Sequence, residues 1–251
     1  MRPVWLTVDT DDLRHTPTSQ GHPTRSKGTT HEGTSPEMKL AMKSFRKWLD
    51  RTQVSLPMFV MADQLDDTYF ATWLKDVLEN HDQVTIACHG LTHKCCSAYP
   101  KDEEGFLAAL VEADVKLHKF AKDAWRPWFR APAGYIAPWM APIIAKAGFE
   151  LDSSVNPSWI VRKKAGPWKD WNAVLKALKD SGLVSRPWLC KFGMPTCGPA
   201  LSIPILRNNA RRVWKKLGPF VLPDETEETV YWHVLDHGRK NGTWKPPLMI
   251  E

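Results

Sequence analysis

Nowhere do the 251 residues hold the run of ~18 apolar side chains that a membrane-crossing helix needs. A Gly-X-Y period and a sustained heptad are also missing, which excludes collagen and coiled coil. With 14 Gly and 20 Pro, the chain has too few breakers to be disordered throughout. Cysteine is sparse and odd in number: Cys88, Cys95, Cys96, Cys190 and Cys197, with no C-x-x-C pair. That spacing fits neither a zinc finger nor a disulfide framework, so free thiols in a reducing compartment are expected. Met1-Arg2-Pro3 runs at once into Val4–Val8 and then Asp9. This is too short and too soon acidic for a signal peptide, and a cytoplasmic location is expected. No internal repeat or linker stands out. One domain over residues 1–251 is expected, a size at which α/β barrels are routinely single.

Charge is present but uneven. The formal net charge is +6. Residues 1–150 carry 18 Lys and Arg against 19 Asp and Glu, and residues 151–251 carry 16 against 9. The excess therefore lies in the second part, in clusters such as Arg162-Lys163-Lys164, Arg211-Arg212 and Lys215-Lys216. Such clusters read first as a solvated helix face and second as an anion-facing surface. The chain lacks RNP, zinc-finger and helix-turn-helix patterns, so a nucleic-acid-binding protein is the lesser alternative.

Along the chain, strands and helices alternate. Val4–Val8 predicts a buried strand ending at Asp9-Thr10-Asp11-Asp12. Residues 14–36 are rich in Ser, Thr, Gly, Pro and His and predict a long flexible loop. Pro36 opens a helix to about Arg51, with Met38, Met42, Phe45 and Leu49 on one stripe. Leu56–Met61 is the second strand. Asp66 is expected to cap a helix to about Asn80. Val84–Cys88 is a strand ending at His89. Asp102 starts a helix to about Lys122. Trp128-Phe129 ends at Arg130, Pro138–Ala147 is helical, and Phe149–Leu151 is a strand ending at Asp152. Beyond, Trp168–Asp180 reads as helix, Ala200–Leu206 as strand, Ala210–Lys216 as a helical turn and Thr229–Val234 as strand, with His233 near its end. This is the pattern of a parallel sheet or barrel.

In such folds the C-terminal strand ends meet on one face, and sites are built there. Here those ends carry Asp9, Asp11, Asp12, His89, Arg130, Asp152 and His233. His89 and His93 form an H-x-x-x-H pair that can share a divalent metal if the chain turns helically. Surface pairs at this spacing are common. What sharpens the signal is the carboxylate cluster on strand one, because two His and one carboxylate make an open site for zinc or another first-row metal. Asp11 is the first choice as ligand and Asp12 the competitor, whose plain reading is a loop or cap carboxylate. A second carboxylate beside such a metal can take a proton from water, and Asp9 is placed for this.

These motifs, in order, resemble the polysaccharide deacetylase (NodB-homology) family, carbohydrate esterase family 4. The residues that carry the resemblance are Thr7-Val8-Asp9-Thr10-Asp11-Asp12, His89–His93, Arg130-Ala131-Pro132-Ala133-Gly134, Leu151-Asp152-Ser153-Ser154 and Val230-Tyr231-Trp232-His233. They span about residues 4–235. The resemblance implies a distorted (β/α) barrel of about seven parallel strands and a divalent metal, zinc first, with Co2+, Mn2+, Ni2+ or Fe2+ as others. It implies a hydrolase that removes an N-acyl group, N-acetyl first, from an amino-sugar-containing substrate; the basic second part of the chain would suit an anionic one. By position, Asp9 would be general base and His233 general acid. Asp11, His89 and His93 would bind metal, Arg130 would orient Asp9, and Asp152 would orient His233. The Asp-x-Asp-Asp-Leu run is similar to that of lipid-linked formamido-arabinose deformylases, so a deformylase or cyclic amidase on a small or lipid-linked substrate is the alternative.

Other residues are weighed more lightly. Seven of the 13 Trp lie between residues 125 and 188. For any one of them the core is the commoner place. Trp168 and Trp171 are the groove candidates for a sugar ring, and Pro132, Gly134 and Tyr135 are set beside them as substrate contacts. His15, His22 and His31 read as a rim on the long loop. His237 is a substitute for His233 in a loop at Asp236-His237-Gly238, and Cys88 reads as core.

Overall fold

In the computed structural model, which describes residues 2–15, 33–159, 170–198, 201 and 203–238, strand and helix alternate from the first element. β1 (Arg2–Asp9) is buried from Val4 onward. Its side chains alternate between two environments, as a strand requires. Val4, Leu6 and Val8 join the main core shared with the helices, while Trp5 packs with Phe59, Ala87 and Leu151 in a second cluster. Period two puts Thr7 and Asp9 on the side of Trp5.

α1 (Pro36–Leu49) starts with Pro in its first turn, and the Ser35 hydroxyl accepts from the Met38 N–H. Met38, Met42, Phe45 and Leu49 form its buried stripe. β2 (Leu56–Val60) and α2 (Thr68–Asn80) follow. The cap of α2 is Asp67, not the expected Asp66: the Asp67 carboxylate accepts from the Tyr69 N–H, and Asp66 closes a 3-10 turn at Ala62–Asp66. Then come β3 (Val84–Cys88), α3 (Glu103–Ala121) capped by Asp102, β4 (Trp125–Phe129), α4 (Met140–Lys146) and β5 (Leu151–Asp152). α5 (Trp171–Asp180) and β6 (Val184–Ser185) complete the regular alternation. A hairpin of β7 (Cys190–Lys191) and β8 (Met194–Pro195), α6 (Pro204–Trp214), β9 (Leu217–Phe220) and β10 (Thr229–His233) finish the described chain.

Seven strands run in the order β10-β1-β2-β3-β4-β5-β6, all paired in parallel, and β9 adds to the start of β1. The chain just past β6 reaches the other edge. Trp188 bridges to Thr229, the Leu189 N–H donates to the Thr229 carbonyl at 2.8 Å, and the Thr229 N–H donates to the Pro187 carbonyl at 3.0 Å. The curled sheet thus brings its edges together, the distorted (β/α) barrel expected. No helix among the described residues is long and apolar enough to cross a membrane.

One expected element is corrected. Of the strand expected over Ala200–Leu206, Ala200 and Ser202 lie outside the described residues, and Pro204–Leu206 is helix, because Pro204 opens α6 there. Leu206, Ala210 and Trp214, spaced four apart, make its buried face, while Ile203 and Ile205 are exposed. Alternate apolar residues before Pro204 imitated a strand.

Candidate active site

Parallel pairing delivers the ends of β1, β3, β4 and β10 to one mouth. Asp9 stands in register with His233 on one side and Phe59 on the other. Asp9 and Arg130 are buried, and the Arg130 Nη1 donates to the Asp9 Oδ1. The guanidinium is held by more than this ion pair. Nη2 donates to Thr7 Oγ1 at 2.8 Å and Ser153 Oγ at 3.0 Å, and Nε donates to the Ser153 carbonyl at 3.1 Å. Its carbon lies 4.0 Å from the Phe59 ring centroid and 5.2 Å from that of Tyr231. The fixed guanidinium fork therefore sets the orientation of Asp9.

Past Asp9 the chain is clamped on both flanks. The Gln64 Nε2 donates to the Thr10 carbonyl at 2.7 Å, and Thr10 donates its hydroxyl to Gln64. The Asp12 carboxylate accepts from the Leu13 N–H and from both the N–H and hydroxyl of Ser35. Asp12 is thus a loop-closing carboxylate, and Asp11 is the one turned to the histidines. Asp11 Oδ1 lies 3.3 Å from His89 Nε2, and Oδ2 lies 3.0 Å from His93 Nε2.

These three residues could hold a metal ion, since one ligand atom from each lies within 4.8 Å of the others. Two donors each ~2.1 Å from one tetrahedral ion stand roughly 3.4 Å apart, close to both separations. The His89 Nδ1–H donates to the Arg130 carbonyl at 2.8 Å, which aims its Nε2 at Asp11. Asp11 Oδ1 and both ring nitrogens of His93 are buried without a hydrogen-bond partner, a donor set that fits a cation. Burial opposes ionisation of Asp11, but the charges of His93 and His89 hold its carboxyl well below the usual range. Burial likewise opposes charging of His89, yet Asp11 raises its pKa above the ordinary histidine value.

The partner of His233 is a correction. The sequence assigned its orientation to Asp152; the structure places Asp236 there. The His233 N–H donates to Asp236 Oδ2 at 2.9 Å, and that oxygen is 3.4 Å from His233 Nδ1. His233 Nε2 then points toward Asp11 Oδ2, 3.7 Å away. Burial would lower the pKa of His233, but the Asp236 hydrogen bond and the charges of Asp11, Asp236 and Asp9 lift it to about 9. Asp152 stands in the register row of Cys88 and Phe129, both in the main core, whereas its neighbour Leu151 joins Trp5 on the inner side. Its carboxylate accepts instead from the Ser154 N–H at 3.0 Å and hydroxyl at 2.6 Å. Burial pushes the Asp152 pKa up to about 6. Asp236 escaped sequence reading because its segment resembles a loop. It is a 3-10 turn, Val234–Gly238, which returns the third residue after His233 to the ring. His237 is buried beside Trp232, whose Nε1–H donates to it at 3.1 Å.

The substrate-contact expectations fare unevenly. Trp171 is 6% exposed and lies in the core with Val174 and Leu178, not in a groove. The helical repeat of α5 turns it inward. Trp168 lies outside the described residues. Tyr135 is buried. Pro132 borders a cavity of about 220 Å³ with Gly90, Thr92, Tyr99, Phe106 and Trp139. Gly134 has a backbone reason to be glycine. Its φ is +67°, and a Cβ there would stand 2.6 Å from the Trp188 ring and 3.0 Å from the Ser154 carbonyl oxygen. Gly134→Ala is expected to destabilise by about 1–3 kcal/mol in urea unfolding; an unchanged midpoint would show that the turn can shift. His15, expected on the loop rim, is 1% exposed, with its ring 6.1 Å from that of His93.

No family model matches the sequence, and no curated protein does. Solved structures do. One assigned as a polysaccharide deacetylase, from Mycobacterium smegmatis, has TM-score 0.60 at 17% identity over 96% of this chain and 79% of that one. Another so assigned, from Pseudomonas aeruginosa PAO1, has TM-score 0.50 at 12% identity over 95% and 80%. The 4-alpha-glucanotransferase of Thermococcus litoralis has TM-score 0.54 at 11% identity, over 100% of this chain but 36% of that one. The fold is therefore that of the proteins the motifs resemble. A glucanotransferase shares it, so the activity must be argued from the site.

Proposed function

We propose that the chain is a metal-dependent hydrolase that removes an N-acyl group, N-acetyl first, from an amino-sugar-containing substrate. The observation that carries this reading is the meeting of three units at one mouth: Asp9 on Arg130, Asp11 with His89 and His93, and His233 on Asp236. Asp11, His89 and His93 would hold the cation, zinc first. When bound there, a cation supplies Lewis acidity that activates water and steadies the charge developing on the acyl oxygen. Asp9 takes the proton from the attacking water as the new C–O bond forms. Arg130 keeps its carboxylate turned to that water. His233 gives its proton to the amide nitrogen as the C–N bond breaks, leaving an amine and a carboxylic acid. Asp236 holds the ring so that Nε2 faces the mouth. The basic surplus after residue 150 supports an anionic substrate.

The test joins metal content to product. Purified protein reconstituted with zinc is expected to hold about one ion and to release amine from N-acetylated amino sugars faster than from N-formylated ones. His89→Ala is expected to lose the metal and the activity together. Faster release from formyl substrates would favour the deformylase alternative. Failure to bind any divalent metal after reconstitution would overturn the proposal.

A further inference from the structure

From Ser181 to Pro223 the chain holds seven Lys and Arg and no Asp or Glu. No step of the proposed chemistry uses a side chain of the seven. Four of them, Arg211, Arg212, Lys215 and Lys216, gather at the end of α6. Among the described residues no carboxylate pairs with any of the four. The same stretch also leaves large apolar side chains in water. Ile205 is 79% exposed and Ile203 48%, and Val184, Phe192 and Leu222 are exposed as well.

One helix face joins the two kinds of residue. Leu206, Ala210 and Trp214 turn α6 toward the core. The Lys215 N–H donates to the Arg211 carbonyl at 3.2 Å and the Lys216 N–H to the Val213 carbonyl at 2.9 Å, which carries the last turn on to Lys216. At about 100° per residue, Ile205, Arg212 and Lys216 then fall in one narrow sector on the far side, with Asn208 beside them. All four are exposed. Ile205 and Arg212 are two turns apart, about 10 Å along the axis. Cations at a helix end suit the macrodipole, and a solvated face asks nothing more. Neither accounts for isoleucines in water on the same helix. A nucleic acid would match the charge and leave those isoleucines in water. An anionic lipid surface matches both, because headgroups attract the cations and apolar side chains enter the boundary beneath them.

We propose that the outer face of α6 docks the protein on an anionic lipid surface: Arg212, Lys215 and Lys216 meet the headgroups, and Ile203 and Ile205 enter the apolar boundary. The helix lies on the surface and does not cross it. Its own apolar stripe stays packed on the barrel, so docking needs no unfolding. The proposal stands apart from the metal-centre reading, since no residue of the mouth takes part.

Sedimentation with vesicles tests it on the full chain. One set of vesicles is phosphatidylcholine alone; the other contains about one third phosphatidylglycerol. The protein is expected to sediment with the anionic set at low salt, to stay free of the neutral set, and to be released by about 0.5 M salt. Two variants change exposed side chains only. Arg212→Gln with Lys216→Gln is expected to weaken binding about 10–30-fold. Ile205→Gln, which keeps every charge, is expected to weaken it about 10-fold. No sedimentation with anionic vesicles at low salt would overturn the proposal, as would equal binding to neutral ones. Undiminished vesicle binding by Ile205→Gln would also overturn it, because the face would then read charge alone. Binding to duplex DNA without binding to vesicles would assign the face to nucleic acid and overturn it too.

Discussion

Asp9→Asn is expected to lower the turnover of an N-acylated amino sugar by about 10²–10⁴-fold, the usual worth of a positioned proton acceptor. The substitution is nearly isosteric. The Asn carbonyl oxygen can still accept from Arg130 Nη1, so the fork that holds residue 9 keeps its geometry. What disappears is the capacity to carry a proton away from water. Asp9 is not among the residues grouped as metal ligands, so zinc content is expected to stay at the level of the unaltered protein. Steady-state kinetics on zinc-loaded protein, with metal measured on the same sample, decides the matter. The loss is expected in kcat with KM little changed, because the missing interaction belongs to the transition state. Turnover that survives at full rate would remove Asp9 from the role of base.

The second large effect is on stability. Arg130→Leu is expected to destabilise the metal-free protein by about 3–5 kcal/mol, the cost of leaving a buried charge without its partner. Both side chains are almost wholly enclosed: Arg130 is 0% exposed and Asp9 2%. Removing the guanidinium also takes a donor from Thr7 Oγ1 and from the Ser153 carbonyl, which keeps only the Trp188 indole N–H. Phe59, Tyr231 and Trp188 lose the cation they pack against. Lysine is a poor substitute, since one ammonium cannot serve Asp9, Thr7 and Ser153 from a planar fork. Urea unfolding is the measurement. Combining Arg130→Leu with Asp9→Asn is expected to cost less than the two separate losses added, because the uncompensated carboxylate is gone. Strict additivity, or a loss under about 1 kcal/mol for Arg130→Leu alone, would show that the pair is solvated rather than buried.

Much of the barrel was legible because its elements obey simple periods. β1, β2, β3 and β10 are short apolar runs, and each helix packed on them repeats its buried residues at three or four. Pro36 and Asp102 mark helix starts by local chemistry alone. The candidate site was legible to the same depth. Asp9, Asp11, His89, Arg130 and His233 all end or follow strands, and parallel strands must deliver their ends to one face. Where sequence reading failed, local pattern pointed two ways. Apolar residues before Pro204 imitated a strand, and Trp171 next to charged residues imitated a groove wall.

By itself, then, the sequence determined that Asp9, Asp11, His89, Arg130 and His233 arrive where strands end. Which of them meet was decided only by tertiary structure. Asp11 and Asp12 are adjacent, yet one faces two histidines and the other is consumed by Ser35, 23 residues further along. Asp152 and Asp236 are both carboxylates near strand ends, yet only Asp236 reaches His233, because a 3-10 turn folds it back while sheet register turns Asp152 away. His15 seemed part of a solvated loop and is packed on His93. The physical reason is the same in each case. A hydrogen bond or a metal ligand must be placed to within a few tenths of an ångström. Register, turn type and the side of the sheet set that distance, and none of these is a property of a residue and its neighbours in sequence.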